Sequence, residues 1–139
     1  PFKIGKAEVF REGKDAAIIA CGPLVYEALI AAEELSKEGI SASVINNHSI
    51  KPMDEKTMIE AARKTGAVVT AEDHQVQGGM GSAVCEVLAK NYPVPIEMIG
   101  IQDRFGESGT TEELMKKFGL VAEDIKKAVK KVLKRKLAS

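Results

Sequence analysis

The sequence predicts an α/β fold, a three-layer α/β/α arrangement with about five mostly parallel strands and an antiparallel edge strand. Short strand-like segments alternate with helix-like segments along the chain. Residues 16–21 and 67–71 are apolar on both faces, which is typical of strands covered by helices on both sides. Residues 7–11 alternate between apolar and polar, and the four-residue link that follows permits a hairpin but not a helical crossover.

The composition favours one domain over residues 1–139 in the cytoplasm. Lys plus Arg number 20 and Asp plus Glu number 20, so no net charge favours binding to nucleic acid or to a membrane. No apolar run approaches the ~18 residues of a membrane span, and no charged-then-apolar leader is present. Cys21 and Cys85 lie in apolar segments without metal-ligand spacing, which favours buried free thiols over a disulfide. The first residue is Pro1, from which we expect a processed chain or an excised fragment.

The first half of the chain reads as strand, strand, helix, strand and helix. After Gly22 and Pro23, apolar residues at helical spacing predict a helix that stops at Gly39. Residues 40–45 form the next strand, followed by a loop that contains Asn46, Asn47 and His48. Asp54 is a plausible N-cap for a second helix, which ends before Gly66. The stripe of the first helix consists of Val25, Ala28, Leu29, Ala32 and Leu35, and that of the second of Met58, Ile59 and Ala62.

The second half continues the alternation. Strand 67–71 is followed by the polar residues 72–74, a glycine-containing loop and a helix from Met80 that ends near Asn91 and Pro93. Residues 96–101 form a further strand, and residues 102–109 form a loop. A capping box of Thr110 and Glu113 opens a short helix that Gly119 closes. The last helix turns Ile125, Val129, Val132 and Leu133 inward, and we interpret its basic face as a solvated surface.

The strongest candidate site lies at the carboxyl end of strand 67–71, where open α/β sheets place ligand-contacting groups. Gly78, Gly79 and Gly81 suggest a phosphate-binding turn, but their spacing matches neither known glycine-rich nucleotide motif. A sharp strand-to-helix turn explains them better. Neighbouring Glu72 and Asp73 could orient His74 for proton transfer.

No nucleophile with a recognisable sequence context accompanies His74, so a loop or interface role is favoured over catalysis. His48 and His74 together lack zinc-ligand spacing. Arg104 and Ser108 could bind an anion in the loop after the last strand, although an ion pair of Arg104 with Asp103, Glu107 or a neighbouring domain explains it as well.

Several of these segments together resemble the C-terminal domain of transketolase. The resemblance begins at the triplet 72–74, Glu-Asp-His, with the turn 78–81, Gly-Gly-Met-Gly. It extends to residues 5–7, 26–29, 50–54, Arg104, 108–109, 112–114 and 117–120, and therefore to the whole chain.

The resemblance implies a domain of an enzyme that transfers two-carbon ketol units between sugar phosphates in the pentose phosphate pathway. In that family the first two domains hold thiamine diphosphate and Mg²⁺ at a dimer interface. Neither domain is present here, and no Gly-Asp-Gly motif with a downstream Asn occurs. We therefore expect no catalytic, cofactor-binding or metal-binding residue in this chain.

The implied partners are the remaining transketolase domains or subunit and a second protomer of a homodimer. The candidate interface or loop residues are Glu72, His74, Gly78, Gly79, Gly81, Arg104 and Ser108. One alternative is the corresponding domain of 1-deoxy-xylulose-5-phosphate synthase or of a 2-oxoacid dehydrogenase β subunit, although the Glu-Asp-His triplet and the Lys-Phe-Gly run at 117–119 favour transketolase. A freestanding small-molecule-binding module is the other alternative.

Overall fold

The computed structural model describes residues 5–48, 52–75, 79–101 and 111–138, with the side chains of all of these except 74, 75, 101 and 111. The described residues form one five-stranded sheet in the order β1-β3-β2-β4-β5. All neighbouring strands are parallel except β1, which pairs antiparallel with β3 at the edge. The elements are β1 Glu8–Arg11, β2 Ala16–Ala20, α1 Leu24–Lys37, β3 Ala42–Asn46, α2 Glu55–Thr65, β4 Val68–Gln75, α3 Met80–Asn91, β5 Ile96–Ile101, α4 Thr111–Lys117 and α5 Ala122–Ala138.

Helices cover both faces of the sheet, which confirms the three-layer arrangement. The buried side chains of α1 and α5 pack on one face, together with Met115 of α4. Those of α2 and α3 pack on the other face. The central strand β2 is fully buried, because its side chains alternate between these two layers. The apolar stripes that the sequence places inward therefore lie in the core.

The edge strand β1 is antiparallel as predicted, but the link to β2 is not a hairpin. β1 pairs with β3, which lies between β1 and β2. The link crosses the first residues of β3, where Gly13 donates its backbone N–H to Oγ of Ser43 at 2.8 Å. A Cβ on Gly13 would overlap the backbone of Ala42 and Ser43. Four residues are long enough to pass one strand, so link length alone did not identify the partner strand.

The helix ends follow the predicted capping residues. Asp54 precedes α2 and accepts a hydrogen bond from the backbone N–H of Thr57 at 3.2 Å. The other oxygen of Asp54 accepts the N–H of Ala7 at 3.1 Å, so this carboxylate also fixes the approach to β1. Gly66 ends α2 in the left-handed region with φ +73°. The predicted capping residue Thr110 lies outside the described residues.

Strand β4 is longer than the sequence predicts. Glu72, Asp73 and His74 belong to the strand, which runs to Gln75 and is not yet a loop at these positions. The regular pairing with β5 is interrupted between Ala71 and Gln75. The polar composition indicated a loop, whereas the chain stays extended to Gln75 and the Glu72 side chain is hydrogen-bonded inside the domain.

The basic face of α5 is largely exposed as predicted, and several of its cations also form ion pairs with neighbouring elements. Lys126 lies 3.2 Å from Glu34 and 3.3 Å from Glu38 of α1. These carboxylates raise the pKa of Lys126 above its usual value through hydrogen bonds. Arg135 lies 2.6 Å from Glu97 of β5. The charged residues of α5 therefore connect it to α1 on one side and to β5 on the other.

Candidate functional site

The site predicted from the sequence lies where the direction of the chain across the sheet reverses. β2 lies between β3 and β4 in the sheet. The chain leaves β2 through α1 toward β3 and returns through α2 to β4 on the other side. The carboxyl ends of β2 and β4 therefore border the crevice in which open α/β sheets bind ligands. Here the N–H of Cys21 donates to the carbonyl of Ala71 at 3.2 Å.

Glu72 is a buried carboxylate that binds the first turn of α3. Its residue is 1% exposed. Oε1 accepts the backbone N–H of Met80 at 2.7 Å, and Oε2 accepts that of Gly81 at 2.6 Å. The first N–H groups of a helix have no partner within the helix, and the N-terminal end of the helix dipole favours negative charge. Glu72 thus caps α3 from within the domain.

Gly81 allows α3 to approach β4 closely. A Cβ on Gly81 would lie 2.6 Å from Oγ1 of Thr70 and 3.0 Å from Oε2 of Glu72. Thr70 and Glu72 are two residues apart on β4 and therefore face the same side of the sheet. The buried Oγ1 of Thr70 has no hydrogen-bond partner among the described residues. A side chain at position 81 would push the helix away from Glu72 and lengthen both hydrogen bonds.

This geometry argues against a phosphate site at the glycine turn. An anion at the start of α3 would need the N–H groups of Met80 and Gly81, which Glu72 already engages. Its own negative charge would also meet that carboxylate. In the described ranges, no three His, Cys, Asp or Glu side chains cluster as metal ligands would. The N–H groups of Met80 and Gly81 are therefore not available to the diphosphate of thiamine diphosphate.

Near the carboxyl end of β4, Asp73 lies close to Gly22 and Cys21. Gly22 has φ +62°, and a Cβ there would lie 3.5 Å from Oδ1 of Asp73. Burial, followed by the negative charges of Glu72 and Asp73, raises the pKa of the Cys21 thiol to about 11. Burial also raises the pKa of Cys85. Both cysteines are free thiols as predicted, although each is only partly buried.

The structure brings together three of the seven predicted site residues. Glu72, Gly79 and Gly81 meet at the start of α3, where Gly79 is the residue that precedes the helix. The backbone of His74 lies in β4, and its side chain is outside the description. Gly78, Arg104 and Ser108 lie outside the described residues. The carboxylate of Glu72 is engaged within the domain, so the structure gives it an internal role in place of an exposed one.

Sequence reasoning missed Thr70 and Met98 as neighbours of the glycine turn. A Cβ on Gly81 would lie 3.0 Å from Cε of Met98 on β5. The one sequence feature that could have indicated this contact was Thr70, a polar residue within the apolar run 67–71. Such a residue marks a position where a polar atom faces the packed layer.

Comparison with known proteins places the chain in a family. The family model described as "Transketolase, C-terminal domain" matches residues 5–125. A solved structure titled "Split gene transketolase, inactive beta4 tetramer" superposes with a TM-score of 0.93 at 50% identity, covering 97% of this chain and 44% of that one.

Curated relatives agree with this match. The 6-deoxy-6-sulfo-D-fructose transketolase subunit of Clostridium sp. strain MSTE9 is 52% identical over 135 residues, which cover 97% of this chain and 42% of the relative. The 1-deoxy-D-xylulose-5-phosphate synthase of Syntrophotalea carbinolica is 45% identical over 128 residues, or 91% of this chain and 20% of the relative. The chain thus spans less than half the length of each. By sequence and by fold, this chain belongs to the transketolase C-terminal domain family.

Proposed function

We propose that the chain is the C-terminal module of a transketolase and supports packing and assembly of the enzyme without an active site of its own. The observation that carries this proposal is the use of Glu72 within the domain. Its two hydrogen bonds, 2.7 and 2.6 Å long, occupy the start of α3. The turn that would otherwise accept a phosphate is therefore part of the internal structure of the domain.

The complete enzyme, in this proposal, transfers ketol units between sugar phosphates. Thiamine diphosphate and Mg²⁺ belong to the part that this chain does not contain. We further propose that the enzyme is a cytoplasmic homodimer of the pentose phosphate pathway. Among the described residues, no helix is long and apolar enough to cross a bilayer.

The end of β4, residues 76–79 and residues 102–110 are the proposed contact regions toward the rest of the enzyme. They contain His74, Gly78, Gly79, Arg104 and Ser108. His74→Ala is expected to lower assembly or activity of the complete enzyme while this domain stays folded. If assembly and activity of the enzyme are unchanged by His74→Ala, His74 is not part of the contact.

An immunoblot against this chain in cells of its source tests the proposal first. A band well above 14.9 kDa identifies the chain as part of a longer enzyme. A band at 14.9 kDa calls for a pull-down, in which we expect a separate transketolase subunit. The reconstituted enzyme should transfer ketol units between sugar phosphates, and the isolated chain should not. Turnover by the isolated chain, or a native chain of this mass without a transketolase partner, would contradict the proposal.

The second candidate function is the equivalent module of 1-deoxy-xylulose-5-phosphate synthase. The 45% identity to the Syntrophotalea carbinolica protein favours it. A related question concerns the substrate, since the Clostridium relative is named for a sulfosugar. The reconstituted enzyme should therefore be assayed with a sugar phosphate, with 6-deoxy-6-sulfofructose and for formation of 1-deoxyxylulose 5-phosphate. Synthase activity alone would replace the first proposal with this one.

A further inference from the structure

The segment that contains β1 lies along the outside of the sheet. We call residues 7–15 the β1 strap, which consists of the approach to β1, the strand itself and the link to β2. β1 is the outermost strand and pairs with β3. The link then crosses the first residues of β3 to reach β2. The strap therefore covers the outer edge of β3 from Ala42 to Asn46.

The strap contributes little apolar surface to the core. Every residue from Gly5 to Asp15, a range that the structure describes without a gap, is exposed or partly exposed. Val9 and Phe10, the two large apolar side chains of β1, are 46% and 48% exposed. The residues of β2, in contrast, are all 0% exposed. Because apolar burial is the dominant favourable contribution to folding, detaching the strap costs much less free energy than unfolding β2.

Polar contacts hold the strap near both of its ends. At the start, the backbone N–H of Ala7 donates to Oδ2 of Asp54 at 3.1 Å. In the link, the N–H of Gly13 donates to Oγ of Ser43 at 2.8 Å. The same hydroxyl donates to the carbonyl of Gly13 at 3.0 Å. Hydrogen bonds of this kind each contribute a modest net stabilisation, so the loss of one contact changes the stability of the closed strap measurably.

The carboxylates that hold the strap keep other partners when it opens. Oδ1 of Asp54 accepts the N–H of Thr57 at 3.2 Å, and Oδ2 accepts the hydroxyl of Thr57 at 2.7 Å. These two contacts belong to the cap of α2 and do not require the strap. Arg11 of β1 lies 2.8 Å from Glu33, which is exposed on α1 and is solvated when the guanidinium leaves. Opening therefore leaves both carboxylates hydrogen-bonded or solvated.

We propose that the β1 strap opens and closes as one unit while the rest of the domain stays folded. The contacts of Ala7 and Gly13 break together, because β1 between them is too short and too exposed to stay paired once either end is released. Opening uncovers backbone groups on the outer edge of β3 that pair with β1 in the closed state. An uncovered strand edge is a template for pairing with another strand, so the closed strap protects the domain from such pairing.

Amide hydrogen exchange of the complete chain, followed by nuclear magnetic resonance, tests the proposal first. Amides that become accessible by a local opening exchange faster than amides that require unfolding of the core. Ala7 and Gly13 report on the two ends of the strap. Ala17, whose N–H donates to the carbonyl of Ala67 at 2.9 Å, reports on the core. We expect the strap amides to be protected about a hundredfold less than Ala17. Equal protection of the three amides overturns the proposal.

Asp54→Asn determines whether the two ends open together. Asn is as good a helix cap as Asp, so α2 keeps its contact with Thr57, whereas the contact of Ala7 is lost. Exchange should accelerate about tenfold at Ala7 and equally at Gly13, which lies at the other end of the strap. Ser43→Ala is the reverse variant, which removes the contact of Gly13 and should accelerate exchange at Ala7. An effect confined to the altered end would indicate local fraying and overturn the proposal.

Asp124→Ala is the control variant. Asp124 accepts the N–H of Val121 at 3.1 Å and stabilises the start of α5, not the strap. This substitution should lower the stability of the whole domain and accelerate exchange at Ala17, but it should leave exchange at Ala7 and Gly13 unchanged. If all three amides accelerate equally, the strap opens only when the domain unfolds, and the proposal is overturned. Circular dichroism verifies that each variant is folded.

Trypsin gives an independent measurement of the opening. Arg11 lies within β1, so cleavage after it requires the strap to leave the sheet. At low protease concentration, the cleavage rate follows the equilibrium population of the open strap. Asp54→Asn should accelerate this cleavage about tenfold and Asp124→Ala should leave it unchanged, as measured by mass spectrometry of the peptides. Equal cleavage rates of the two variants overturn the proposal. Both tests use this chain alone, so their failure leaves the proposed function intact.

Discussion

The carboxylate of Glu72 and the backbone nitrogen of Gly81 are 2.6 Å apart, within a region that excludes solvent. This contact connects β4 to α3 across the turn that the sequence marks as the candidate site. It depends on both residues, since a carboxylate is needed to accept the N–H groups and a glycine is needed to let the helix approach.

Glu72→Gln should lower the free energy of unfolding by about 2–3 kcal/mol. The amide group keeps one acceptor oxygen, but its NH₂ group then faces a backbone N–H that has lost its partner. Urea denaturation monitored by circular dichroism gives this value. Glu86→Gln is the matched control, because Glu86 is exposed on the same helix and should change stability little. Equal effects of the two substitutions would contradict the capping role of Glu72.

Gly81→Ala should destabilise the domain by about 1–3 kcal/mol, although alanine normally stabilises a helix relative to glycine. The new Cβ would lie 2.6 Å from Oγ1 of Thr70. Thr70→Ala removes that oxygen, so the cost of Gly81→Ala should be smaller in the Thr70→Ala background. A double-mutant cycle measures this coupling. If the free-energy changes of the two substitutions are additive, contact with Thr70 is not the reason that a side chain at position 81 destabilises the domain.

Sequence patterns predicted most of this fold because they report local physical requirements. Asp54 and Gly66 mark the two ends of α2, and residues 96–101 match β5. The pairing of β1 with β3 was not predictable from the link, since four residues can either turn back or pass one strand. The length of β4 was missed for a related reason. The partners of Glu72 are backbone groups eight and nine residues away, which no residue type in the sequence reveals.

The stability of the domain should depend on the ionisation of Asp54 at acidic pH. Burial raises the pKa of Asp54, but hydrogen bonds from Thr57 and Ala7 and the charge of Lys6 outweigh it, so the pKa lies below its usual 3.8. A carboxyl whose pKa is lower in the folded state stabilises the fold above its unfolded-state pKa. That stabilisation is lost as the pH falls through the folded-state pKa.

Asp54→Asn tests this dependence. Asn can still accept from the N–H of Thr57, but it loses the acceptor for Ala7, so we expect a loss of about 1–3 kcal/mol at pH 6. The difference from the unaltered chain should shrink as the pH falls below about 4. Urea denaturation between pH 6 and pH 3 measures both curves. A difference that stays constant over this range would show that the Asp54 charge does not contribute.

Cys21 should react slowly with alkylating reagents at neutral pH. Burial, with the charges of Glu72 and Asp73, raises its pKa from 9.0 to about 11, which lowers the thiolate fraction at pH 8 about a hundredfold. Asp73→Asn removes one of these charges, so the pKa should fall and iodoacetamide alkylation at pH 8 should accelerate. Glu12→Gln provides a control, because Glu12 precedes β2 and Cys21 follows it, so the removed charge lies at the opposite end of this strand and the rate should stay unchanged. Peptide mass spectrometry separates Cys21 from Cys85. An Asp73→Asn rate equal to that of the unaltered chain would mean that the Asp73 charge does not contribute to the reactivity of Cys21.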